Sequence, residues 1–401
     1  MLASTRVLTI RLLATLMLID YARSIFAVAA LLLLWVLFIY PLLLSWRARA
    51  RTPPQFKSLE RLPAVSVLLP AYNGADFLAA KLDSVLRSDY PAELLDVIVI
   101  SDGSSDATVQ IAQGYESTGR VRVLSLQRGG KALAINAGLA ECQRELILLT
   151  DVRQILDVKC VRLLVQRFAD PAVGVVSGSL RIRATNDDSA ASVGMYRRYE
   201  DWIRSSLAAI DSTIGATGAI YAMRRRLAKP LPAGCILDDM WLPLQAVFAG
   251  KRATVADECV VWDYPTDARS EFRRKVRTQA GLYQLFKQEP RLLMPWTNRL
   301  WGAFVSLKLG RLFMPHLLLI CFLCSFFLPP MWRVVALAGQ GCLYGAALVD
   351  GAVPLGSRLK RLTSVCHTFV VLMIAAFFAQ SILFRKSEAL WTVTSVNTDG
   401  T

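Results

Sequence analysis

The chain has 401 residues, of which 54% are apolar and 19% charged, with a formal charge of +15. That composition excludes a disordered or collagen-like polymer, and the length allows roughly two or three domains at about 150 residues each. Only His316 and His367 are present, both in or beside apolar runs. Histidine triads, zinc-peptidase helices and phosphohistidine relays are thereby excluded, and acid–base work falls to carboxylates.

Residues 1–24 open with a short apolar stretch, Val7 to Ile19, interrupted by Arg11 and closed by Asp20 and Arg23, which reads as an interfacial helix. Residues 25–44, Ile25 to Leu44, carry no charge. At about 1.5 Å per residue they are long enough to cross a hydrocarbon core of about 30 Å. Arg47, Arg49 and Arg51 follow in a basic linker, 45–61, and the positive-inside bias places the next segment on the cytoplasmic side.

From 62 to 269 the pattern changes. Val65–Leu69, Leu95–Ser101, Val121–Leu126, Glu145–Thr150 and Val173–Ser177 are short β-rich runs separated by helical spacing, which predicts an α/β domain with a mostly parallel sheet. Such sheets bind ligands at the carboxyl ends of their strands. In 270–311, Glu271–Phe286 and Arg291–Leu312 mix basic and apolar positions and read as amphipathic helices along the membrane surface. Residues 312–384 hold three further crossings, Leu312–Leu328, Val334–Val353 and Thr363–Phe384, before a tail at 385–401. Arg358, Lys360 and Arg361 mark the loop between the last two as an inside loop. Basic residues thus cluster beside apolar segments, a pattern for anionic lipid head groups rather than nucleic acid. The eight cysteines show no paired spacing except Cys321 and Cys324, which lie in an uncharged stretch. The absence of a disulfide pattern points to a reducing, cytoplasmic location for the soluble part.

Several strand ends carry chemistry. The first runs Leu69-Pro70-Ala71-Tyr72-Asn73-Gly74 and the second Ile100-Ser101-Asp102-Gly103-Ser104-Ser105-Asp106. Asp102 projects where a ligand can meet it, although the same residues serve equally to turn the chain and cap a helix. Next comes Arg128-Gly129-Gly130-Lys131 ahead of a helical run. A Gly-Gly there suits close approach of a diphosphate, and Lys131 supplies charge. The following strand, Leu146–Thr150, runs into Asp151, a further carboxylate at the same rim.

Together with Asp238-Asp239 and a basic helix at 271–281, this ordered series resembles the family-2 glycosyltransferases with a GT-A domain, over about residues 62–285. The resemblance is strongest to membrane-anchored members related to cellulose, chitin, hyaluronan and poly-N-acetylglucosamine synthases. It implies a Rossmann-like GT-A fold between amino- and carboxyl-terminal transmembrane helices, a multi-pass inner-membrane location and a cytoplasmic catalytic domain. The implied reaction is inverting transfer from a nucleotide-diphospho sugar, a UDP-sugar, to a lipid-linked or polysaccharide acceptor.

Residue by residue, the resemblance implies that Ala71 and Tyr72 border the nucleoside, that Asp102 contacts uracil or ribose, and that Lys131 contacts the donor phosphates. Asp151 matches the first acid of Asp-x-Asp, which holds Mg2+ or Mn2+ against the diphosphate. Here Arg153 replaces the second acid. Three readings stay open: Arg153 neutralises the diphosphate directly, Asp151 holds the ion with water and phosphate oxygens, or Arg153 forms a salt bridge with a nearby carboxylate. The small-residue run Thr213–Ala222 lines an acceptor channel or is a packed strand.

Asp238 and Asp239 match the family's Thr-Glu-Asp segment, with Asp239 as the base that deprotonates the acceptor and helix capping as the rival role. The Gln-x-x-Arg-Trp segment is matched only at Arg277, which would stabilise the departing diphosphate or simply face lipid. Arg274 and Thr278 stand at the Gln and Trp positions, and the lost Trp favours limited sugar addition. The rival classes are a non-catalytic nucleotide-sugar receptor, a dinucleotide oxidoreductase lacking its Gly-x-Gly-x-x-Gly, and a transporter for which Asp350 is nearly the only intramembrane acid.

Overall fold

The computed structural model describes residues 2–51, 59–182, 189–264, 268–354 and 356–383. The amino-terminal apolar run is one continuous rod: α1 (Leu2–Leu34) passes through a π-helical turn, Trp35–Ile39, into α2 (Tyr40–Arg49). The expected interfacial segment is therefore not a separate element. Asp20 and Arg23, taken as its end, pair with each other at 3.3 Å on one helix face, and Arg23 also donates to the Phe327 carbonyl at 3.1 Å. Charges satisfied in this way do not break a helix.

The α/β domain follows in the order β1 (Val65–Ala71), α3 (Ala75–Leu86), β2 (Leu95–Asp102), α4 (Thr108–Gly114), β3 (Val121–Leu126), α5 (Lys131–Glu141), β4 (Leu146–Thr150), β5 (Ile155–Leu156), α6 (Cys160–Gln166), β6 (Val173–Ile182), α7 (Ser189–Ile210), β7 (Ile220–Arg224), α8 (Asp238–Phe248) and β8 (Arg252–Asp263). The eight strands form one sheet ordered β3-β2-β1-β4-β7-β6-β8-β5. Strands β3, β2, β1 and β4 are mutually parallel, as expected, so their carboxyl ends share an edge. Beyond β4 the sheet is mixed, because β7 inserts antiparallel between β4 and β6. The sequence reading stopped at β6. It missed β5 and β8, and it left β7 open as channel or packed strand.

Alternation along β1 divides the core. Val65, Val67 and Leu69 pack with Leu78, Leu82 and Val85 of α3 and with Leu164 of α6, whereas Leu68 faces Ile135 of α5 and Leu242 of α8. A third cluster joins Leu207 of α7 and Leu244 of α8 to Leu44 of α2 and Phe304. The soluble layer therefore rests directly on apolar helices.

Helix α9 (Ala268–Gln288) leads to a continuous rod made of α10 (Trp301–Phe304), a π-turn at Val305–Leu309 and α11 (Gly310–Ser325). The expected surface helix Arg291–Leu312 does not form: its first half is irregular or 3-10, and its second half is the start of this rod. Gly310 allows the close approach, since a Cβ there would meet Val36 at 2.7 Å. Helices α12 (Pro330–Val349) and α13 (Arg358–Ala379) complete the chain described. Asp350 lies between them and ties them together, pairing with Lys360 at 3.1 Å and accepting from Thr363 and Ser364. Among the described residues, four helices are long and apolar enough to cross a membrane: Leu13–Arg49, Trp301–Ser325, Pro330–Ala352 and Arg358–Leu383. All eight cysteines are free thiols.

Candidate active site

The shared strand edge is built by interlocking turns. Asn73, just past β1, takes a left-handed φ of 47°. Its amide donates to Ser104 Oγ at 3.1 Å, and its side-chain oxygen accepts from the Ser105 amide at 2.9 Å. Gly103 has φ 68°, and a Cβ on it would lie 2.6 Å from the Arg128 amide nitrogen. Only glycine allows the two loops to approach so closely.

Asp102, 3% exposed, accepts from the amides of Gly129 at 2.7 Å and Gly130 at 2.9 Å and pairs with Arg128. Asp102 also lines the cavity in which the nucleoside is expected. The Gly-Gly amides expected for a diphosphate already donate to a carboxylate. The Arg128 guanidinium lies 3.5 Å over the Tyr72 ring, and Ala71, Tyr72 and Arg128 all line the cavity. Arg128 had no assigned role, although its place directly before Gly-Gly-Lys was a signal.

Lys131 begins α5 after Gly130, whose φ of 91° again requires glycine. Its ammonium bridges two carboxylates, Asp151 at 2.9 Å and Asp238 at 3.1 Å. Burial opposes that charge, but Asp151 and then Asp238 outweigh it and hold the Lys131 pKa above the ordinary lysine value.

Asp238 and Asp239 occupy the first turn of α8, where the helix dipole favours negative charge. Neither caps by its side chain, because the cap residue is Leu237 and makes no side-chain bond. Asp239 instead accepts from the Gly218 amide at 3.2 Å, and its carbonyl accepts from Ala216 at 2.7 Å. The small-residue segment is thus drawn against it. Burial raises the pKa of Asp238, and burial followed by the Asp238 charge pushes Asp239 up to about 6. A carboxylate there accepts protons effectively near neutral pH.

Arg153 takes the salt-bridge option. It forms a fork on Asp263 with distances of 2.7 and 2.6 Å, with Gln154 donating to the same carboxylate at 3.1 Å. Its guanidinium is therefore committed to β8 rather than turned to a diphosphate. Lys81, wholly buried in α3, donates to Thr150 Oγ1 and to the Gln154 carbonyl, each at 2.6 Å, and so staples both sides of the Asp151 turn. Burial pulls its pKa down to about 7, against the opposing pull of Asp151. The sequence signal was a lysine within the Leu78, Leu82 and Val85 stripe.

The described residues do not supply a chelate of several protein ligands, and Asp151 stands as the one acid of the Asp-x-Asp pair. The second acid is an arginine bonded elsewhere, the Lys131 ammonium lies between Asp151 and Asp238, and no three His, Cys, Asp or Glu gather to hold a metal among the described residues.

Arg277 borders the same cavity and lies within electrostatic reach of Asp151 and Asp239. The basic helix therefore faces the site. Its Arg274 pairs with Glu271 at 2.8 Å, and Thr278 Oγ1 donates to the Arg274 carbonyl at 2.9 Å. The cavity measures about 1290 Å3 and runs from Tyr72 past Asp239 to Lys308 and Leu372 on the membrane-length helices.

The sheet's strand ends and α8 bring one lysine and three carboxylates, Lys131, Asp151, Asp238 and Asp239, into a single cavity, and the architecture is that of a GT-A domain. Residues 66–229 match the family model of glycosyl transferase family 2. The chain is 30% identical over 126 residues to the poly-β-1,6-N-acetyl-D-glucosamine synthase of Staphylococcus epidermidis, covering 31% of this chain and 30% of that protein. It is 30% identical over 128 residues to the Staphylococcus aureus enzyme of the same name, covering 31% of each. The match thus spans less than a third of these relatives' length. Among solved structures, the mannosyltransferase PcManGT from Pyrobaculum calidifontis, in complex with GDP-Man and Mn2+, is 23% identical with a TM-score of 0.69, covering 90% of this chain and 99% of that one. That likeness supports the fold.

Proposed function

We propose that the protein is a membrane-bound inverting glycosyltransferase that moves a sugar from a nucleotide-diphospho sugar, a UDP-sugar, to a lipid-linked or polysaccharide acceptor. The observation carrying this reading is the convergence of Lys131, Asp151, Asp238 and Asp239 in one cavity of a family-2 domain. In the proposal, Tyr72 with its stacked Arg128 receives the nucleoside beside Ala71, and Asp102 fixes the loop that presents them. Lys131 and Arg277 meet the diphosphate charge, which grows as the sugar–phosphate bond breaks.

Asp239 takes the proton of the acceptor hydroxyl while that oxygen attacks the anomeric carbon from the face opposite the leaving diphosphate. Asp238 holds Lys131 in place. The diphosphate is met by this chain's own cations, with no step assigned to a metal. The domain faces the cytoplasm in this reading, on the positive-inside bias of Arg47, Arg49 and Arg51.

The test uses the purified full chain with labelled UDP- and GDP-sugars, each in EDTA and in Mn2+, with transferred sugar and free nucleotide as readouts. Asp239→Asn is expected to bind nucleotide as the parent does and to lose about 100-fold or more in transfer. Transfer at the parental rate would remove Asp239 from the chemistry. A parent chain that binds nucleotide yet never releases it from any sugar would be a receptor instead.

A further inference from the structure

At the end of the cavity away from Tyr72, the walls pass from the sheet edge to the membrane-length helices: Leu307, Lys308 and Arg311 come from the Trp301–Ser325 rod, and Thr368 and Leu372 from α13. Lys308 lies in the π-turn at Val305–Leu309, a local winding frequent at functional sites. An ammonium within an apolar span is costly and normally meets an anion. No hydrogen bond or ion pair closes on Lys308 among the described residues.

Among the described residues no carboxylate, Asp239 included, lies within ion-pair distance of that ammonium. Lys308 is within electrostatic reach of Glu200, Arg311, Asp239 and Arg204, but Glu200 is paired with Arg311. Arg204 donates through Nη2 to Ser177 and leaves its buried Nε–H without a partner. Two sets of N–H donors are therefore unmet beside apolar walls, within the same cavity as the proposed base.

We infer that this end of the cavity is a binding site for the phosphate of a lipid-linked acceptor. The lipid lies between α11 and α13, its phosphate oxygens accept from Lys308 and Arg204, and the sugar it carries reaches toward Asp239. A phosphate fits the donor count better than a carboxylate, since its several anionic oxygens serve an ammonium and a guanidinium together. A neutral glycan would leave the Lys308 charge without an anionic partner. This inference rests on the transferase reading and names its acceptor class.

The full chain in neutral detergent is titrated with farnesyl phosphate, farnesol and inorganic phosphate, followed by tryptophan fluorescence, and separately with UDP and GDP. Farnesyl phosphate is expected to bind more tightly than either fragment. Lys308→Met should weaken it about tenfold or more, Lys308→Arg should retain it, and both variants should bind nucleotide as the parent does. Equal affinity of parent and Lys308→Met for farnesyl phosphate would overturn the site. Inorganic phosphate binding as tightly as farnesyl phosphate would make it a free-anion site and overturn the lipid assignment. Loss of nucleotide binding in Lys308→Met would move the lysine to the donor side and overturn it as well. If neither UDP nor GDP binds the parent, the donor reading falls, while the farnesyl phosphate result still decides this one.

Discussion

Asp239 shows how an ordinary carboxylate becomes a base suited to neutral pH. Desolvation by the packing around it, and then the like charge of the adjacent Asp238, raise its pKa, so the proton is held until about pH 6. The ionised form is the one that accepts a proton, so acid removes it. The logarithm of kcat/KM is therefore expected to rise with unit slope below about 6 and to level off above. Initial rates across that range check this, and a flat profile would disconnect Asp239 from the limiting step. Lys131 stays charged throughout, because Asp151 and Asp238 outweigh its burial. The fall at low pH therefore belongs to the carboxylate.

At the level of elements, the site depends on how closely α9 lies against the start of α8. Gly281, one turn beyond Arg277, sits where a Cβ would be 2.6 Å from Leu237 Cγ, immediately before Asp238. Gly281→Val must push the two helices apart. Overpacking of this kind costs about 1–3 kcal/mol, so a lower thermal midpoint is expected together with a higher KM for the donor, because Arg277 moves with α9. Thermal unfolding and initial-rate measurements on the variant test both, and unchanged values would mean that the helices are not locked at this point.

The same scale separates what could be read from the sequence and what could not. Strands β1 to β4 were legible because each is a short apolar run ending in a turn or an acid. β7 was ambiguous, because Ile220–Arg224 follows a run of small residues that fits a channel wall as well as a strand. Arg153 was undecidable because its partner, Asp263, lies 110 positions away. Lys308 was hidden in a segment that read as a surface helix, where a lysine needs no explanation.

For the whole molecule, the four membrane-length helices make a topological statement. If each crosses once, the α/β domain and the turn before α13 share one side, and the turn before α12 lies on the other. The Arg23 contact with the Phe327 carbonyl at 3.1 Å agrees, since it places the outer part of α1 beside that far turn. In a chain whose eight native cysteines are replaced, Ser357→Cys should react with an impermeant thiol reagent only after the membrane is opened. Phe327→Cys, exposed in the turn before α12, should react in intact cells. The reverse pattern would invert the orientation, and labelling of both from outside would remove a crossing.

The sequence by itself determined the apolar runs, the parallel half of the sheet and the ordered signature from Pro70 to Arg277, because these are local: hydrophobic period, turn chemistry and spacing each act over a few residues. Only the tertiary structure decided which charges meet. The Lys131 bridge between Asp151 and Asp238, the Arg153–Asp263 fork, the use of Asp102 by the Gly-Gly amides and the unmatched ammonium of Lys308 each depend on whether groups far apart in the chain come within hydrogen-bonding distance. Coulomb and hydrogen-bond energies fall steeply beyond that distance, and sequence separation does not determine it.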